Sequence, residues 1–582
     1  MIDLAPFVAV FIGALAQKFL HRGVELGLLE LAAFVPLLLV LERIVRPRLA
    51  LAVGSSAHRA SMLGATLLGL LAVFVYPLPL VGGWAVLAFD LAGLFSSLAP
   101  GPVAPDLVRR LGLASAALAV AFAVATHLVA MAAPPSYDPA LYLLDGRWLL
   151  EGIAPYRDAH LSKPPVILVP NALFAVLGDV HVLPQLASLA CALATGAILA
   201  RSPALANDPR HGLVFAVAVG LLSLEEYRQG GNYPETYSPP LIALAWACLM
   251  APEPRRRDLL IGGFSIGLLS MTKQTHALYG AALLGMLALL ERARPGRVAL
   301  AAGAACGAVA CVLAPFAATG LLGPFFRSTV LYWLHPLPIL ATPGTLFERL
   351  IGLSAPVAPL LLLALAAVLR VLAAWKRGRA PERPVLGFLV LLATASILQI
   401  IEQRIFRNPH YVLHAFVPVA LAPWVLGRSV TARREQRLVL ILLAEWSLLP
   451  FAIQVLGFPG TLGVAREQRV LIEKLAAATD RVPPAPSAGL LVLGGWPQVY
   501  LASTRRCLDP GCFTGLLLAQ EAAKGPEGQA RVRALLRRRP LVVLIVEGSA
   551  ELELVEKYLP GWRDELADLE PERPSESITI LR

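Results

Sequence analysis

Residues 112–132 read GLASAALAVAFAVATHLVAMA, twenty-one positions without an acidic residue, lysine or arginine. About 20 apolar residues in a helix cross the hydrocarbon core of a bilayer, so this run is read as a membrane span. Its two flanks differ. Arg109 and Arg110 precede it, whereas a polar stretch opening with Ser136-Tyr137-Asp138 follows. Comparable runs lie near 5–20, 25–41, 60–77, 80–98, 166–179, 184–200, 211–224, 238–250, 258–272, 275–290, 297–318, 349–372, 384–402, 411–427 and 437–456. The 582 residues are 57% hydrophobic and only 15% charged, where soluble domains average roughly 45–50% and 25%. A soluble globule is excluded, and the expected class is an all-α polytopic membrane protein with about 14–15 transmembrane helices.

The charge distribution orients the chain. Its formal net charge is +11, which could suggest an anionic partner such as nucleic acid. Residues 465–582, however, hold sixteen basic and sixteen acidic groups, so the whole excess lies in the hydrophobic part. Membrane proteins retain Lys and Arg in short cytoplasmic loops, and nucleic acid is not an expected partner. The dense clusters Arg109/Arg110, Arg255/Arg256/Arg257, Arg292/Arg294/Arg297, Lys376/Arg377/Arg379/Arg383 and Arg428/Arg433/Arg434/Arg437 are therefore assigned to the cytoplasm. Between Arg110 and Arg255 the chain must leave and return, yet five apolar runs intervene. The weakest is 166–179, which is short, contains Pro170 and Asn171 and follows Lys163-Pro164-Pro165. It is read as an interfacial or re-entrant helix. Parity then puts 133–183, 225–237, 319–348, 403–410 and the C-terminal tail outside. The first run, 5–20, fits less well, because Lys18 and Arg22 would follow it on the outer side. The N-terminus shows no cleavable signal-peptide pattern.

The tail is built differently. A helical pattern near 466–478, a strand-like run Gly489–Gly494, a basic helix near 529–539, a strand Leu541–Val546 and a final strand Ser577–Leu581 describe a small soluble α/β domain. The Pro-rich stretch 482–486 is a loop within it or a hinge at its edge. Cys507 and Cys512 lie in this polar tail, where a disulfide is compatible with an oxidising compartment but not established by the spacing. Three units result: 1–104, an N-terminal extra transmembrane segment; 105–460, a transmembrane catalytic domain with the large first outer loop 133–183; and 465–582, the extracytoplasmic domain.

Polar residues gather in four outer segments. The first carries Asp138, Asp145, Glu151 and Asp158, four carboxylates in twenty-one residues, and ends at Lys163. The second runs from Glu225 and Glu226 through Asn232 to Glu235, and the third holds Lys273 and His276. The fourth reads Glu402-Gln403-Arg404-Ile405-Phe406-Arg407-Asn408-Pro409-His410-Tyr411. Charges held at headgroup depth are costly and tend to be functional. Lys163, Arg404 and Arg407 are suited to holding a phosphate through charge-assisted bonds, and Asp138 to accepting a proton from a hydroxyl. If a sugar were joined to a lipid phosphate, the phosphate would leave as a stable anion. One base and a cationic clamp would then suffice, without the paired carboxylates of glycoside hydrolysis.

These motifs, taken in order, are Asp138, Gly152, Pro155-Tyr156, Asp158 and Lys163-Pro164-Pro165, then Asn232 and Glu235, Gly267 through Thr272-Lys273-Gln274, and Pro409-His410-Tyr411. Together they resemble the integral-membrane glycosyltransferases of the GT-C fold, in the bacterial branch related to protein O-mannosyltransferases and lipid A aminoarabinose transferase. The resemblance covers roughly residues 112–460. It implies a GT-C-like fold, a polyprenyl-phosphate sugar donor, an acceptor that is a glycolipid, polysaccharide or protein, and inversion at the sugar carbon. The implied setting is the bacterial inner membrane, with the C-terminal domain extracytoplasmic. By the same resemblance Asp138 is the catalytic aspartate of the first loop, Lys163 contacts the lipid phosphate, and His410 and Tyr411 lie near the donor pocket; Asp158 is a further catalytic candidate, and Glu235, Arg404 and Arg407 are further substrate-binding candidates. Many relatives have an Asp-Glu pair where this chain has Asp138-Pro139, so no metal and no cofactor is expected.

Each assignment has a plainer competitor. Asp138 could cap a helix or be solvated in its loop, and Lys163 could snorkel to the interface. Asp158, Glu235 and Arg407 could pair structurally, and Lys273 and His276 could be satisfied polar groups at a helix end. Asp145, Glu151, Glu225 and Glu226 are read as structural, and Trp333 and His335 as part of an aromatic belt. The rival function is a transporter or flippase of a lipid-linked or acidic solute, which would place charges at the midplane on broken, repeated helices. The run interiors are almost free of charge, Asp90 being an exception, and no internal repeat is visible. A non-catalytic assembly or sensor subunit is a second rival, with the tail as its binding unit.

Overall fold

The computed structural model describes residues 105–159, 161–178, 180–331, 358–405, 408–429, 463–481, 489–494, 496–511, 514–575 and 578–582. The four N-terminal runs, the run 437–456, Trp333, His335, Arg407, Cys512 and the Pro-rich stretch 482–486 lie outside the described residues, as does the side chain of Arg404.

The chain is a polytopic helical membrane protein with a small C-terminal α/β domain. Helix α1 (Pro105–Ala132) contains the run that opens the sequence argument and leads into α2 (Tyr137–Leu150), which lies in the first outer loop. There follow α3 (Leu168–Val176), α4 (Val182–Ala200), α5 (His211–Leu222), α6 (Pro234–Leu249), α7 (Arg256–Ser270), α8 (Ala277–Leu290), α9 (Pro295–Ala318), α10 (Ala358–Lys376), α11 (Arg383–Ile405) and α12 (Phe416–Ser429). Among the described residues five stretches are long and apolar enough to cross a membrane: Val108–Ala132, Val182–Ala200, Pro295–Ala318, Arg383–Glu402 and Pro409–Arg428. The runs 211–224, 238–250, 258–272 and 275–290, expected to cross, give helices of 12, 16, 15 and 14 residues. These fall short of a full span, and α5 and α6 are buried on most sides within the bundle.

Helix α3 is nine residues long, about 14 Å at 1.5 Å per residue, too short to cross. Val169, Leu173 and Val176 lie exposed along it, with Leu177 just beyond, while Leu168, Asn171 and Phe174 face inward. The one-sided apolar stripe suits a helix lying at the membrane surface. It packs on α2 backbone to backbone, because a Cβ at Gly146 would collide with the peptide of Asn171. Gly146→Val is expected to force the two helices apart and cost about 1–3 kcal/mol as an overpacked contact, read as a lowered unfolding temperature in detergent.

Small residues set the bundle contacts elsewhere. Gly263 and Gly267, four apart on α7, meet the backbone of Ala301 and Ala305 on α9, and Gly112 on α1 meets Gly212 on α5. Such spacing lets helices approach closely where lipid offers no hydrophobic drive.

The soluble domain follows a helix over 463–481. Its sheet contains β1 (Gly489–Leu493), β2 (Leu541–Val546), β3 (Pro571–Ser575) and β4 (Ile578–Leu581), in the order β1-β2-β4-β3. The β1–β2 pair is parallel and the other two are antiparallel. Three of these strands follow the sequence expectation to within a residue at each end. β3 and the helices Gly515–Ala522 and Ala550–Tyr558 were not foreseen, and the basic helix runs Pro526–Leu536. Strand residues alternate in direction, and here both faces are buried. Leu491, Leu493, Leu541, Val543 and Ile545 pack under the domain's own helices. Leu490, Val492, Val542, Leu544, Ile578 and Ile580 form a second core with Leu475, Tyr500 and, from the outer loop, Leu144 and Trp148 of α2.

Candidate active site

Breaks in helices put charge into the bundle. Between α7 and α8 the helix stops at Met271–Lys273, where Lys273 is extended (φ −149°, ψ 136°), and a 3₁₀ turn Gln274–His276 restarts it. Preceding α12, residues Pro409–Ala415 form a seven-residue 3₁₀ segment in which His410 through Ala415 are all buried. Runs of this geometry longer than three or four residues are uncommon. Ahead of α6, Gln229, Gly230, Gly231 and Asn232 all have positive φ (45°, 85°, 67° and 62°). That turn is held by buried Arg228, which bonds Glu225 and Gln185, while Glu225 Oε1 accepts from Gly230 N at 2.7 Å. Non-glycine residues kept in this region concentrate at functional sites.

The three breaks meet around Lys273. Its Nζ lies 2.6 Å from Glu235 Oε1 and 2.7 Å from Glu402 Oε1, and 3.6 Å from the centroid of the Tyr411 ring. Thr275 Oγ1 donates to Glu402 Oε1 at 2.5 Å. Glu235, Glu402 and Lys273 are 1%, 4% and 5% exposed, so this ammonium is the countercharge in direct contact with both carboxylates. Lys163, 7% exposed, stands near the same ring, with Nζ 5.9 Å from its centroid. Tyr156, at φ 65°, donates its hydroxyl to the Lys163 carbonyl at 2.8 Å and fixes the turn before the double proline. Gln274 Nε2 donates to the carbonyls of Ser162 and Thr329, closing the third segment onto the first.

Asp138 stands in the first turn of α2, half-buried. The start of this helix is pinned on both sides. Ser136 Oγ donates to Gln229 O and lies 3.0 Å from the Tyr233 hydroxyl, while Tyr137 donates to Thr514 Oγ1 of the soluble domain. Burial pushes the Asp138 carboxyl above the usual carboxylate range; Lys163 pulls it down and Glu235 pushes it up. Lys163 is moved the opposite way, lowered by burial and by Lys273, against the attraction of Glu235, Asp138 and Glu402. Aspartate and lysine are thus electrostatic neighbours.

The structure brings together Asp138, Lys163, Glu235, His410 and Tyr411. His410 stacks on Tyr233 at 3.8 Å between centroids, and its Nδ1 lies 3.0 Å from Gln229 Oε1. Asp158 is not part of this cluster: its carboxylate is 45% exposed on a turn and pairs with neighbouring Arg157 at 2.8 Å, which holds it below the usual range. The Arg404 and Arg407 side chains are outside the description. Glu402, Thr275 and His414 received no role from the sequence, and Lys273 and His276 only a minor one. A signal was present nonetheless. Lys273 is the sole charge in 259–290 and Glu402 the sole charge in 384–402, two isolated charges of opposite sign, each needing a partner.

Residues 164–398 match the family model Glycosyltransferase family 87. The fold is shared with the crystal structure of ArnT from Cupriavidus metallidurans bound to undecaprenyl phosphate, with a TM-score of 0.52 at 13% identity over 80% of this chain and 97% of that one. The apo crystal structure of the same ArnT gives a TM-score of 0.51 at the same identity and coverage. None of the curated proteins matches the chain. A match to a glycosyltransferase family model thus lies within a bundle that shares the fold of an integral-membrane protein, ArnT. The chain's architecture is ArnT-like, a multi-pass bundle followed by a soluble C-terminal domain.

Proposed function

We propose that the protein transfers a sugar from a polyprenyl-phosphate donor to an acceptor on the outer side of a bacterial inner membrane, by a single inverting displacement. The observation that carries this reading is the pairing of half-buried Asp138 with buried Lys163 beside the Lys273 network. Asp138 accepts the proton of the acceptor hydroxyl as its oxygen attacks the anomeric carbon from the face opposite the phosphate. The bond from that carbon to the phosphate oxygen breaks, and polyprenyl phosphate departs with the electron pair. Lys163 holds the phosphate, with Arg404 and Arg407 as further candidate cations. The leaving group is already an anion, so lysine supplies the countercharge and the displacement calls for no metal. Lys273 is committed to Glu235 and Glu402 and acts as a positioning residue for Tyr411. Undecaprenyl phosphate in the ArnT structure supports a donor of this class. The acceptor is a glycolipid, polysaccharide or protein met at the membrane surface.

The test is transfer of radiolabelled sugar from a synthetic polyprenyl-phosphate donor by purified protein, followed against pH. The Asp138 base must be ionised, and its pKa lies above the ordinary carboxylate value, so kcat/KM should fall on acidification at a pH above ~4. Lys163 must be charged, and its pKa lies below the ordinary lysine value, so activity should fall again as pH rises through that lowered value. A profile flat down to about pH 4 would remove Asp138 as the base. No transfer from any polyprenyl-phosphate sugar, together with accumulation of a lipid-linked solute on one leaflet in a deletion strain, would favour transport.

A further inference from the structure

Behind the Lys273 network, on the side of Glu402 turned away from that ammonium, lie His276 and His414. One donor atom of each of these three residues lies within 4.8 Å of the other two. His276 and His414 are fully buried, and Glu402 is 4% exposed.

The hydrogen-bond inventory fixes what these atoms offer. Thr272 Oγ1 donates to Leu269 O at 2.7 Å and Ser238 Oγ donates to Pro234 O at 3.1 Å. With both hydroxyl protons used, Ser238 Oγ accepts from His276 Nδ1–H at 2.7 Å. Nε2 of His276 is then a bare lone pair, and it has no hydrogen-bond partner. Gln399 Nε2 donates to Tyr411 O at 2.7 Å and stands 3.2 Å from His414 Nε2, while His414 Nδ1 lies 2.7 Å from the Tyr279 hydroxyl; with Nδ1–H donating to that hydroxyl, Nε2 is the bare nitrogen, and a cation there takes the place of the long Gln399 contact. Glu402 Oε1 is taken by Lys273 and Thr275, while Oε2 has no hydrogen bond and stands 3.4 Å from His414 Nε2. Two imidazole lone pairs and a carboxylate oxygen thus converge at depth.

A proton cannot satisfy all three. It can bridge His414 Nε2 and Glu402 Oε2, but His276 Nε2 then stays unpartnered in a place where buried polar atoms are normally bonded. A divalent cation satisfies the set. Each histidine also has its other ring nitrogen anchored, to Ser238 and to Tyr279, an arrangement that orients metal-binding imidazoles. The 3.4 Å between His414 Nε2 and Glu402 Oε2 matches the ligand-to-ligand edge of a tetrahedron with bonds of ~2.0–2.1 Å, about 3.3–3.4 Å. Among the described ionised groups of the cluster, Asp138, Glu235 and Glu402 outnumber Lys163 and Lys273 by one, which also favours a cation.

We propose that His276 Nε2, His414 Nε2 and Glu402 Oε2 form a divalent transition-metal site of the zinc type. The ion locks the far oxygen of Glu402 and so holds Lys273 and the Tyr411 platform. Its role is to position these groups, and it takes no part in the displacement, so the site stands or falls independently of the transferase reading.

The test uses full-length protein carrying no oligohistidine tag, equilibrated with zinc chloride in detergent, dialysed and analysed for metal by mass spectrometry. Wild type should retain about one zinc per chain, and chelation should lower its unfolding temperature, with recovery on adding zinc back. His276→Gln and His414→Gln should each lose the ion. Ser238→Ala, which removes the acceptor behind His276 together with that hydroxyl's own bond to Pro234 O within the helix, should weaken zinc affinity by about 10–100-fold and keep the fold. Cobalt bound by wild type should show the visible absorption of a low-symmetry site, giving a readout that needs no variant. Wild type that retains no zinc and is indifferent to chelator would overturn the site and leave a protonated His414–Glu402 pair. Equal zinc retention by wild type and a folded His276→Gln variant would overturn it too.

Discussion

Asp138→Asn is expected to lower the rate of sugar transfer by roughly 10³-fold, within the 10²–10⁴-fold span of positioned proton transfer, while the protein still folds and binds its donor. The amide keeps the size of the carboxylate and its place in the first turn of α2 but cannot accept the hydroxyl proton. The Ser136 and Tyr137 contacts that pin this helix do not involve the substituted atoms. Rapid-quench measurement of a single turnover, with donor binding measured in parallel, separates the chemical step from affinity. Unchanged single-turnover rates would move the base elsewhere, and the first place to look would be Glu235, a buried carboxylate close enough to raise the Asp138 pKa.

Lys273→Met should be the most destabilising single change in the described bundle. It leaves Glu235 and Glu402 buried with their common ammonium gone. Breaking a buried pair by removing one partner costs about 3–5 kcal/mol, and here one cation serves two carboxylates. Unfolding followed by tryptophan fluorescence or by size exclusion after heating would show the loss. Adding Glu235→Gln to the variant should restore part of it, because one of the stranded charges is then neutral. If the double variant is no more stable than Lys273→Met alone, the pair is not coupled as the geometry indicates.

Much of the architecture was legible in the sequence, and the reason is local. Run lengths, arginine clusters and parity pick out 166–179 as a non-crossing segment, and the nine-residue α3 with its exposed Val169, Leu173 and Val176 has the form of a surface helix. The strands Leu541–Val546 and Ile578–Leu581 were readable because β-branched apolar runs bounded by polar residues admit few other forms. The Lys273–Glu235–Glu402 contact was not. Its members are 38 and 129 positions apart along the chain, and only helix breaks, whose angles depend on packing, bring them together. His414 was hidden for a related reason: it lies inside an apolar run, where a histidine without a known partner is one more core residue. Asp158 shows the converse case. A motif position is kept by its neighbours in sequence, but its neighbour Arg157 takes its charge to the surface.

The core shared by α2 and the soluble sheet changes what a boundary means in this chain. Composition shifts near residue 464, and a truncation designed there would look like the removal of an appendage. It would instead uncover Leu144 and Trp148, which pack with Leu475, Tyr500 and the sheet, and free the Tyr137 hydroxyl from Thr514 next to Asp138. The shortened chain would expose an aromatic surface beside the candidate site and lose the brace next to Asp138. Swapping tails between related proteins, an obvious route to new acceptors, therefore requires that α2 travel with the tail.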